Sequence, residues 1–328
     1  TVLAHDMGAK LIILHVEEPP AAYGAGEMYY GVPDPDMPAL TRMLEAVKPS
    51  DPKVPYEHCM VTGDPASEIV SLAKEENIDL IVMGTHGRRG FDRLLLGSVT
   101  ERVLRHAPCP VLTVPPGAPD AVPASPGLFK RIVCGLDFSR ASLAALRFAA
   151  SIAKEADAHL VVVHAVEHLA LWPLPAGAPD VESLEQHARE AAGAALTAAI
   201  PGEVREFAHV EELVITGKAY KAVLDLAESR HADLIVVGTH GGGAGLRHFG
   251  STANHLVRAA ACPVLTVRAG RRGRMQKIQI EQDTANGLLW FGGWLFASGF
   301  LQLTFWKAVA ALIVWPYFIG LSVRGWLG

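Results

Sequence analysis

The stretch Asp79-Leu-Ile-Val-Met83, followed by Gly84-Thr-His-Gly87, decides how this chain is organised. The apolar run predicts a buried β-strand, and the glycines after it predict a loop in which backbone N–H groups approach a ligand closely. A helix is then expected to start near Gly97, where Ser98-Val-Thr-Glu101 fits a capping box. A glycine loop between a strand and a helix N-terminus predicts an anion site, with phosphate as the expected ligand.

The same pattern occurs a second time later in the chain. Asp233-Leu-Ile-Val-Val-Gly238 repeats the strand, Thr239-His-Gly241 repeats the loop, and Gly250-Ser251 repeats the start of the helix. A single glycine loop would be a weak signal, because short glycine patterns are common. Two copies in the same order indicate a duplicated domain.

These copies resemble the universal stress protein (UspA-like) family. The resemblance rests on G-x-x-G-x9-G-S after a strand, then a helix, then Cys-Pro-Val-Leu-Thr-Val, and it covers nearly all of residues 1–268. It implies an α/β fold with two tandem, doubly wound parallel-sheet domains of the adenine nucleotide alpha hydrolase-like type. Continuous apolar strands that alternate with amphipathic helices also indicate a parallel sheet covered on both faces, with ligands beyond the carboxyl ends of the strands.

Composition along the chain predicts five segments. Residues 1–114 form the first domain, residues 115–128 a linker, and residues 129–268 the second domain. The linker contains five prolines in its first thirteen residues, which prevent both a helix and a central strand. A basic juxtamembrane segment, 269–283, leads into a transmembrane hairpin, 284–328.

The first copy has no counterpart of residues 130–149, which supply one strand and most of one helix in the second copy. A parallel sheet without an interior strand would have an open edge and exposed apolar faces. We therefore expect the natural protein to carry about 20 further residues before Thr1.

The family resemblance also implies which residues contact a nucleotide. In the family, an Asp at the end of the first strand contacts the adenosine part, and the glycines and the serine contact phosphates. ATP or another adenine nucleotide, alone or with Mg²⁺, is the implied ligand. The matching residues are Gly84, Gly87, Gly97, Ser98 and Thr100 in the first copy, and Asp137, Gly238, Gly241, Gly250 and Ser251 in the second.

Each copy departs from the family pattern in a different way. The first copy keeps the nine-residue spacing but has no strand to carry the Asp. The second copy carries Asp137, but its loop is one residue shorter and Ala253 stands in place of Thr100. We expect the first copy to be the better nucleotide site, provided that its missing start exists. A role of Asp137 only as a helix cap is an equally good interpretation.

Composition and motifs limit the function classes. The mildly acidic balance of 29 basic and 34 acidic residues argues against a general nucleic-acid binder. The sequence contains no P-loop, serine elbow or HExxH zinc motif, so we expect binding rather than turnover and assign no catalytic or metal-binding residues. His86 and His240 are better interpreted as locally hydrogen-bonded loop residues. The cysteines form no CxxC pair and are interpreted as buried structural thiols: Cys59, Cys109, Cys134 and Cys262.

The C-terminal tail predicts a membrane segment. Residues 284–323 contain one charge, Lys307. A single helix of this length would measure about 60 Å, twice the ~30 Å hydrocarbon thickness, so two spans near 286–303 and 308–323 fit better. A single span with an interfacial helix is the alternative. Five basic residues within 268–277 should stay on the cytoplasmic side.

Together these observations predict a membrane-anchored tandem universal stress-like protein at the cytoplasmic face of a bacterial inner membrane. It would bind adenine nucleotide and regulate or stabilise a membrane complex, through contacts of 284–328 with an integral membrane partner and the lipid bilayer. The resemblance implies that 110–114 pairs with 263–267, making a pseudo-dimer of the two copies, and a homo-oligomer is a further option. No nucleic-acid partner is expected. A nucleotide-free structural accessory subunit and a slow ATPase are the alternatives.

Overall fold

The structure is a computed structural model that describes residues 1–18, 36–85, 96–118, 129–167, 181–207, 209–240 and 249–269. The predicted hairpin lies outside the described residues, as do His86, Gly87 and Gly241 and most of the predicted linker. Within the ranges given above, no helix is long and apolar enough to cross a membrane.

Strands and helices alternate along both repeats, which confirms the α/β class. The described elements of the first repeat are α1 Val2–Asp6, β1 Leu11–Glu17, α2 Met37–Ala46, β2 Tyr56–Thr62, α3 Pro65–Glu75, β3 Ile81–Gly84, α4 Ser98–His106 and β4 Val111–Val114. Those of the second repeat are β5 Arg131–Gly135, α5 Arg140–Ala156, β6 His159–Val166, α6 Val181–Ala199, α7 Gly202–Phe207, β7 His209–Thr216, α8 Ala219–Ser229, β8 Leu234–Gly238, α9 Ser251–Ala259 and β9 Val264–Val267.

Seven strands from both repeats form one sheet, in the order β3-β4-β9-β8-β5-β6-β7. Neighbouring strands run parallel except β4 and β9, which are antiparallel. The hydroxyls of Thr113 and Thr266 are buried at this junction and donate to the carbonyls of Val264 and Val111, at 3.1 and 3.2 Å. The final strands of the two repeats therefore join them into a continuous sheet without unsatisfied hydroxyls.

The two repeats differ in the middle of their strand order. In the second repeat, β5 lies between β8 and β6, whereas β1 and β2 pair only with each other in a separate sheet. Within the described part of the first repeat, no strand takes the corresponding place between β3 and β1. Val82 on β3 is 57% exposed, while Val236 at the matching position of β8 is fully buried because α5 packs on it.

Helices cover both faces of the sheet in the second repeat. On one face, α5 packs Leu146 and Ala149 against strand residues such as Ile132. On the other face, α8 and α9 pack Val223 and Leu256 against the neighbouring strand positions. Because the buried strand residues on both faces are apolar, the sheet has the two-sided burial that the continuous apolar strands predicted.

Candidate functional site

Asp137 follows β5 at the carboxyl edge of the sheet, and its side chain is exposed. Its Oδ1 accepts a hydrogen bond from the N–H of Ser139 at 3.0 Å, and its own N–H donates to Ser142 Oγ at 3.2 Å. The cap of α5 is Ser139, whose side chain accepts from the N–H of Ser142. The second carboxylate oxygen of Asp137, Oδ2, accepts no hydrogen bond within the described chain.

Gly238 ends β8 on the strand next to β5. A Cβ at this position would lie 2.6 Å from the backbone nitrogen of Ser142 and 2.7 Å from the carbonyl carbon of Ala141. Both contacts are with backbone, which cannot move away as a flexible side chain would. Gly238 is therefore needed for the first turn of α5 to approach the end of β8, independently of any ligand.

Hydrogen bonds join the ends of β5 and β8 to the start of α9. Ser139 Oγ donates to the carbonyl of His240 at 3.1 Å, and the N–H of Gly250 donates to the carbonyl of Thr239 at 2.7 Å. Thr239 is itself buried, and its N–H donates to the carbonyl of Val267. Ser139, Thr239, His240 and Gly250 thus form a hydrogen-bonded frame. This frame brings together the described candidates of the second repeat: Asp137, Gly238, Gly250 and Ser251.

The helices α4 and α9 begin in the same way, and this corrects one prediction. Their N-cap residues are Gly97 and Gly250, and neither helix has a side-chain cap. The predicted capping box is wrong, because Ser98 already lies inside α4 and Glu101 accepts instead from Arg105 at 2.7 Å. Among the described residues, no side chain accepts from the first-turn N–H groups of either helix, which is the condition under which a helix N-terminus binds an anion.

The remaining candidates at these helix starts have different surroundings. Ser98 and Ser251 are both exposed at the first position of their helices. Thr100 is buried, and its hydroxyl donates to the carbonyl of Gly84 at 2.9 Å. Ala253, at the matching position of the second repeat, is buried as well. Thr100 therefore stabilises the end of β3 from inside the repeat, where an alanine also fits.

The first repeat assembles only part of the candidate set within its described residues. Gly84, Gly97, Ser98 and Thr100 lie together, since Thr100 contacts Gly84 and the N–H of Gly97 donates to the carbonyl of Thr85. The described chain of this repeat has no carboxylate in the place of Asp137. The expectation that the first repeat is the better site remains a prediction.

Phe138 and His164 lie next to Asp137, and neither of them was identified from the sequence. Phe138 has a φ of 60°, a left-handed conformation that a bulky residue rarely adopts. Its ring packs on His164, with ring centroids 4.6 Å apart. His164 Nδ1 lies 2.7 Å from the carbonyl oxygen of Leu136, so this nitrogen carries the proton and donates. A single sequence gives no signal for either contact, because neither conformation nor ring packing follows from residue type.

The charge beside the helix starts differs between the repeats. In the first repeat, Asp64 caps α3 and accepts two hydrogen bonds of 2.6 Å from Arg102 of α4, which hold the pKa of its carboxyl well below the usual range. The corresponding positions of the second repeat are Lys218 and His255, and the His255 ring stacks on Tyr220 with centroids 4.4 Å apart. A neutral ion pair is thus replaced by basic side chains.

A cavity of about 220 Å³ lies at the opposite edge of the sheet, at the amino ends of β5 and β6. Arg131, His159, Glu211 and Arg230 are among its lining residues, and Arg230 is paired with Glu211. This cavity does not belong to the candidate site. In the described part of the chain, no group of three or more His, Cys, Asp or Glu side chains could hold a metal ion.

Comparison with known proteins gives the family. The model of the universal stress protein family matches residues 2–115 and 128–268. Universal stress protein A homolog 1 of Coxiella burnetii is 32% identical over 145 residues, which cover 42% of this chain and 96% of that protein. A universal stress protein of Methanocaldococcus jannaschii is 58% identical over 55 residues, 17% of this chain. In that match the chain spans 32% of the relative's length.

The fold is shared with a solved structure. A functionally unknown protein from Pseudomonas aeruginosa covers 81% of this chain and 94% of its own, with 19% identity and a TM-score of 0.51. A universal stress protein crystallised in complex with cAMP covers 44% of this chain and 100% of its own, with 25% identity and a TM-score of 0.34. The two ranges matched by the family model follow one another and take up most of the sequence. The chain therefore belongs to the universal stress protein family and contains two tandem copies of the family's domain.

Proposed function

We propose that the second repeat binds an adenine nucleotide at the carboxyl edge of the sheet. One observation carries the proposal: the uncapped start of α9 and the exposed carboxylate of Asp137 belong to the same hydrogen-bonded frame. Phosphate groups accept hydrogen bonds from backbone N–H groups at a helix N-terminus. Asp137 Oδ2 can accept from ribose hydroxyls or from the adenine amine. A nucleotide carries both kinds of group, whereas a simple phosphate carries only the anionic one.

The phosphates would lie at Gly250 and Ser251, where the N-terminal half-charge of the helix adds to the N–H donors. Lys218, the N-cap residue of α8, and His255, one turn into α9, place further basic side chains in this repeat. The first repeat offers Gly84, Gly97 and Ser98 for phosphate. Two further residues, Gly87 and Gly241, belong to the proposal on their motif positions alone.

Calorimetry with ATP on wild-type protein and on Ser251→Asp tests this proposal. The introduced carboxylate should weaken ATP binding at least tenfold, because it repels phosphate at the helix start. It should not destabilise the protein, since an acidic residue in the first turn contributes about 0.3–1 kcal/mol of favourable helix-dipole energy. Ser251→Asn, which is neutral and similar in size, is the control and should lose much less ATP affinity than Ser251→Asp.

The outcomes of this experiment separate the alternatives. Wild-type protein that releases no heat with ATP would favour a nucleotide-free accessory subunit. Bound nucleotide recovered as ATP would support a binding protein. If the wild type steadily releases phosphate and Ser251→Asp does not, the protein would instead be a slow ATPase.

We propose further that 284–328 anchor the chain at the cytoplasmic side of a bacterial inner membrane, where it regulates or stabilises an integral membrane partner. The support is compositional: residues 284–323 contain one charge, and five basic residues stand within 268–277. Flotation and alkaline carbonate extraction of the full chain test the anchor, with a chain that ends at residue 269 as control. A full chain that carbonate releases from the membrane would contradict it. Copurification in mild detergent with mass spectrometry would identify the partner.

A further inference from the structure

We propose that His164 is a positioning residue that orients Asp137 toward the adenosine part of the ligand. The inference rests on the proposed nucleotide site and names a residue that this site depends on. His164 lies near the end of β6, on the strand next to β5. It acts through the backbone on either side of Asp137, not through contact with the nucleotide.

The imidazole of His164 contacts both sequence neighbours of Asp137. Its Nδ1–H donates to the carbonyl of Leu136 at 2.7 Å, directly before Asp137. Its ring packs on Phe138, directly after Asp137, with centroids 4.6 Å apart and planes tilted by 40°. One side chain thus fixes the chain on both sides of the proposed ligand-binding carboxylate.

The residue before Asp137 is held from two directions. Leu136 is 3% exposed, and its N–H donates to the carbonyl of Val163 at 2.9 Å. With its carbonyl bonded to His164, both backbone groups of Leu136 are tied to β6. The peptide that precedes Asp137 is therefore restrained at its carbonyl by His164 and at its N–H by Ser142 Oγ.

The residue after Asp137 requires support because its conformation is unfavourable. A non-glycine residue at a φ of 60° persists only where its surroundings hold it there. The packing of the Phe138 ring on His164 supplies such support. This turn also sets the distance of 3.0 Å between Asp137 Oδ1 and the N–H of Ser139. Asp137 is exposed, so its direction depends on this turn and not on packing of its own side chain.

The test uses the full chain, two ligands and two substitutions of His164. His164→Phe keeps a flat ring but removes the donor, and His164→Asn keeps a donor but removes the ring. Both should weaken ATP binding about tenfold or more, toward the affinity of Asp137→Ala, as expected for loss of a hydrogen bond to a charged group. Inorganic tripolyphosphate lacks the adenosine part, so its affinity should stay within about twofold of wild type.

A double-variant cycle separates positioning from a general effect on stability. If His164 acts through Asp137, His164→Phe combined with Asp137→Ala should bind ATP no more weakly than Asp137→Ala alone. Phe138→Leu keeps apolar bulk but removes the ring contact, and it should show the same loss that is selective for ATP. This variant keeps the inference testable should a His164 variant fail to fold.

Three results would overturn the inference. In the first, His164→Phe and Phe138→Leu bind ATP as tightly as the wild type and only Asp137→Ala binds it more weakly. This result would leave the proposed function intact and remove the role of His164. Equal losses for ATP and tripolyphosphate would show a general structural effect. Wild-type protein that binds tripolyphosphate but discriminates against ATP would reject the nucleotide site itself.

Discussion

Gly238 and Ser142 approach so closely that a Cβ on Gly238 would stand 2.6 Å from the backbone nitrogen of Ser142. The contact joins the end of β8 to the first turn of α5, and both partners are backbone. Gly238→Ala should therefore lower the free energy of unfolding by about 1–3 kcal/mol, the usual cost of overpacking a rigid core. Urea denaturation measures the change.

Gly193→Ala is the matched control for this substitution. Gly193 lies inside α6, and a Cβ there would meet no heavy atom within 4 Å. Alanine should stabilise the protein at this position by roughly 0.8–1 kcal/mol, because glycine is the poorer helix former. The two substitutions are chemically identical and should change stability in opposite directions. A Gly238→Ala protein as stable as the wild type would disprove the close packing of β8 and α5.

The ion pair of Asp64 and Arg102 predicts a dependence of stability on pH. Hydrogen bonds from Arg102 hold the pKa of Asp64 well below 3.8, its value without partners. Because the folded pKa is the lower one, the carboxylate stabilises the fold at neutral pH, and this contribution is lost as the pH falls below about 4. Asp64→Asn keeps a side-chain acceptor for the N–H of Ser67 but removes the charge.

We expect Asp64→Asn to be less stable than the wild type at pH 7, with a difference that shrinks as the pH falls below about 4. Chemical denaturation at several pH values, at low and at high salt, provides the measurement. Salt should also reduce the difference, since the pair is partly exposed. Equal stability of Asp64→Asn and the wild type at pH 7 would mean that the carboxylate contributes only as a cap.

The cysteines should differ strongly in reactivity. Burial raises the pKa of Cys134 to about 12 and the pKa of Cys109 and Cys262 to about 11. Since the thiolate is the reactive form, alkylation at pH 8 should modify Cys59 first and Cys134 only after unfolding. Timed alkylation followed by peptide mass spectrometry tests the order, and labelling in 6 M guanidinium is the control in which all four should react. Labelling of native Cys134 as fast as Cys59 would contradict the buried core.

The helix starts show what could be predicted from local sequence and what could not. Asp64 followed by Pro65 is a typical helix start, and α3 does begin there, since Asp64 accepts from the N–H of Ser67 at 2.9 Å. The same reasoning failed at Ser98. There the N-cap residue is Gly97, whose N–H donates to the carbonyl of Thr85 after β3, and Ser98 is the first residue of α4. A hydrogen bond between a loop residue and a strand end is a tertiary contact, which the local sequence does not reveal.

The strand order and the site geometry could also be predicted from the sequence only in part. Apolar runs predicted most of the strands, but the pairing of β4 with β9 was expected only from the family resemblance, because residues 151 to 155 positions apart meet there. Its antiparallel direction was not predicted. Motif positions gave Asp137 and the glycines, since those motifs are local. The roles of Phe138 and His164 depend on a backbone angle and on a contact between strands. Neither the backbone angle nor the contact between strands can be predicted from residue types alone.

The observed contact of Thr100 differs from the phosphate contact that the family resemblance implied. Its buried hydroxyl donates to the carbonyl of Gly84, so Thr100→Val should leave that carbonyl without its donor and lower the free energy of unfolding by about 0.5–1.5 kcal/mol. Thr41→Val is the control: the Thr41 side chain is exposed and its hydroxyl donates a weak hydrogen bond to the sulfur of Met60, so its loss should change stability by less than about 0.5 kcal/mol. Nucleotide affinity should stay unchanged in both variants. A Thr100→Val protein of unchanged stability that binds ATP more weakly would instead show that this hydroxyl contacts phosphate.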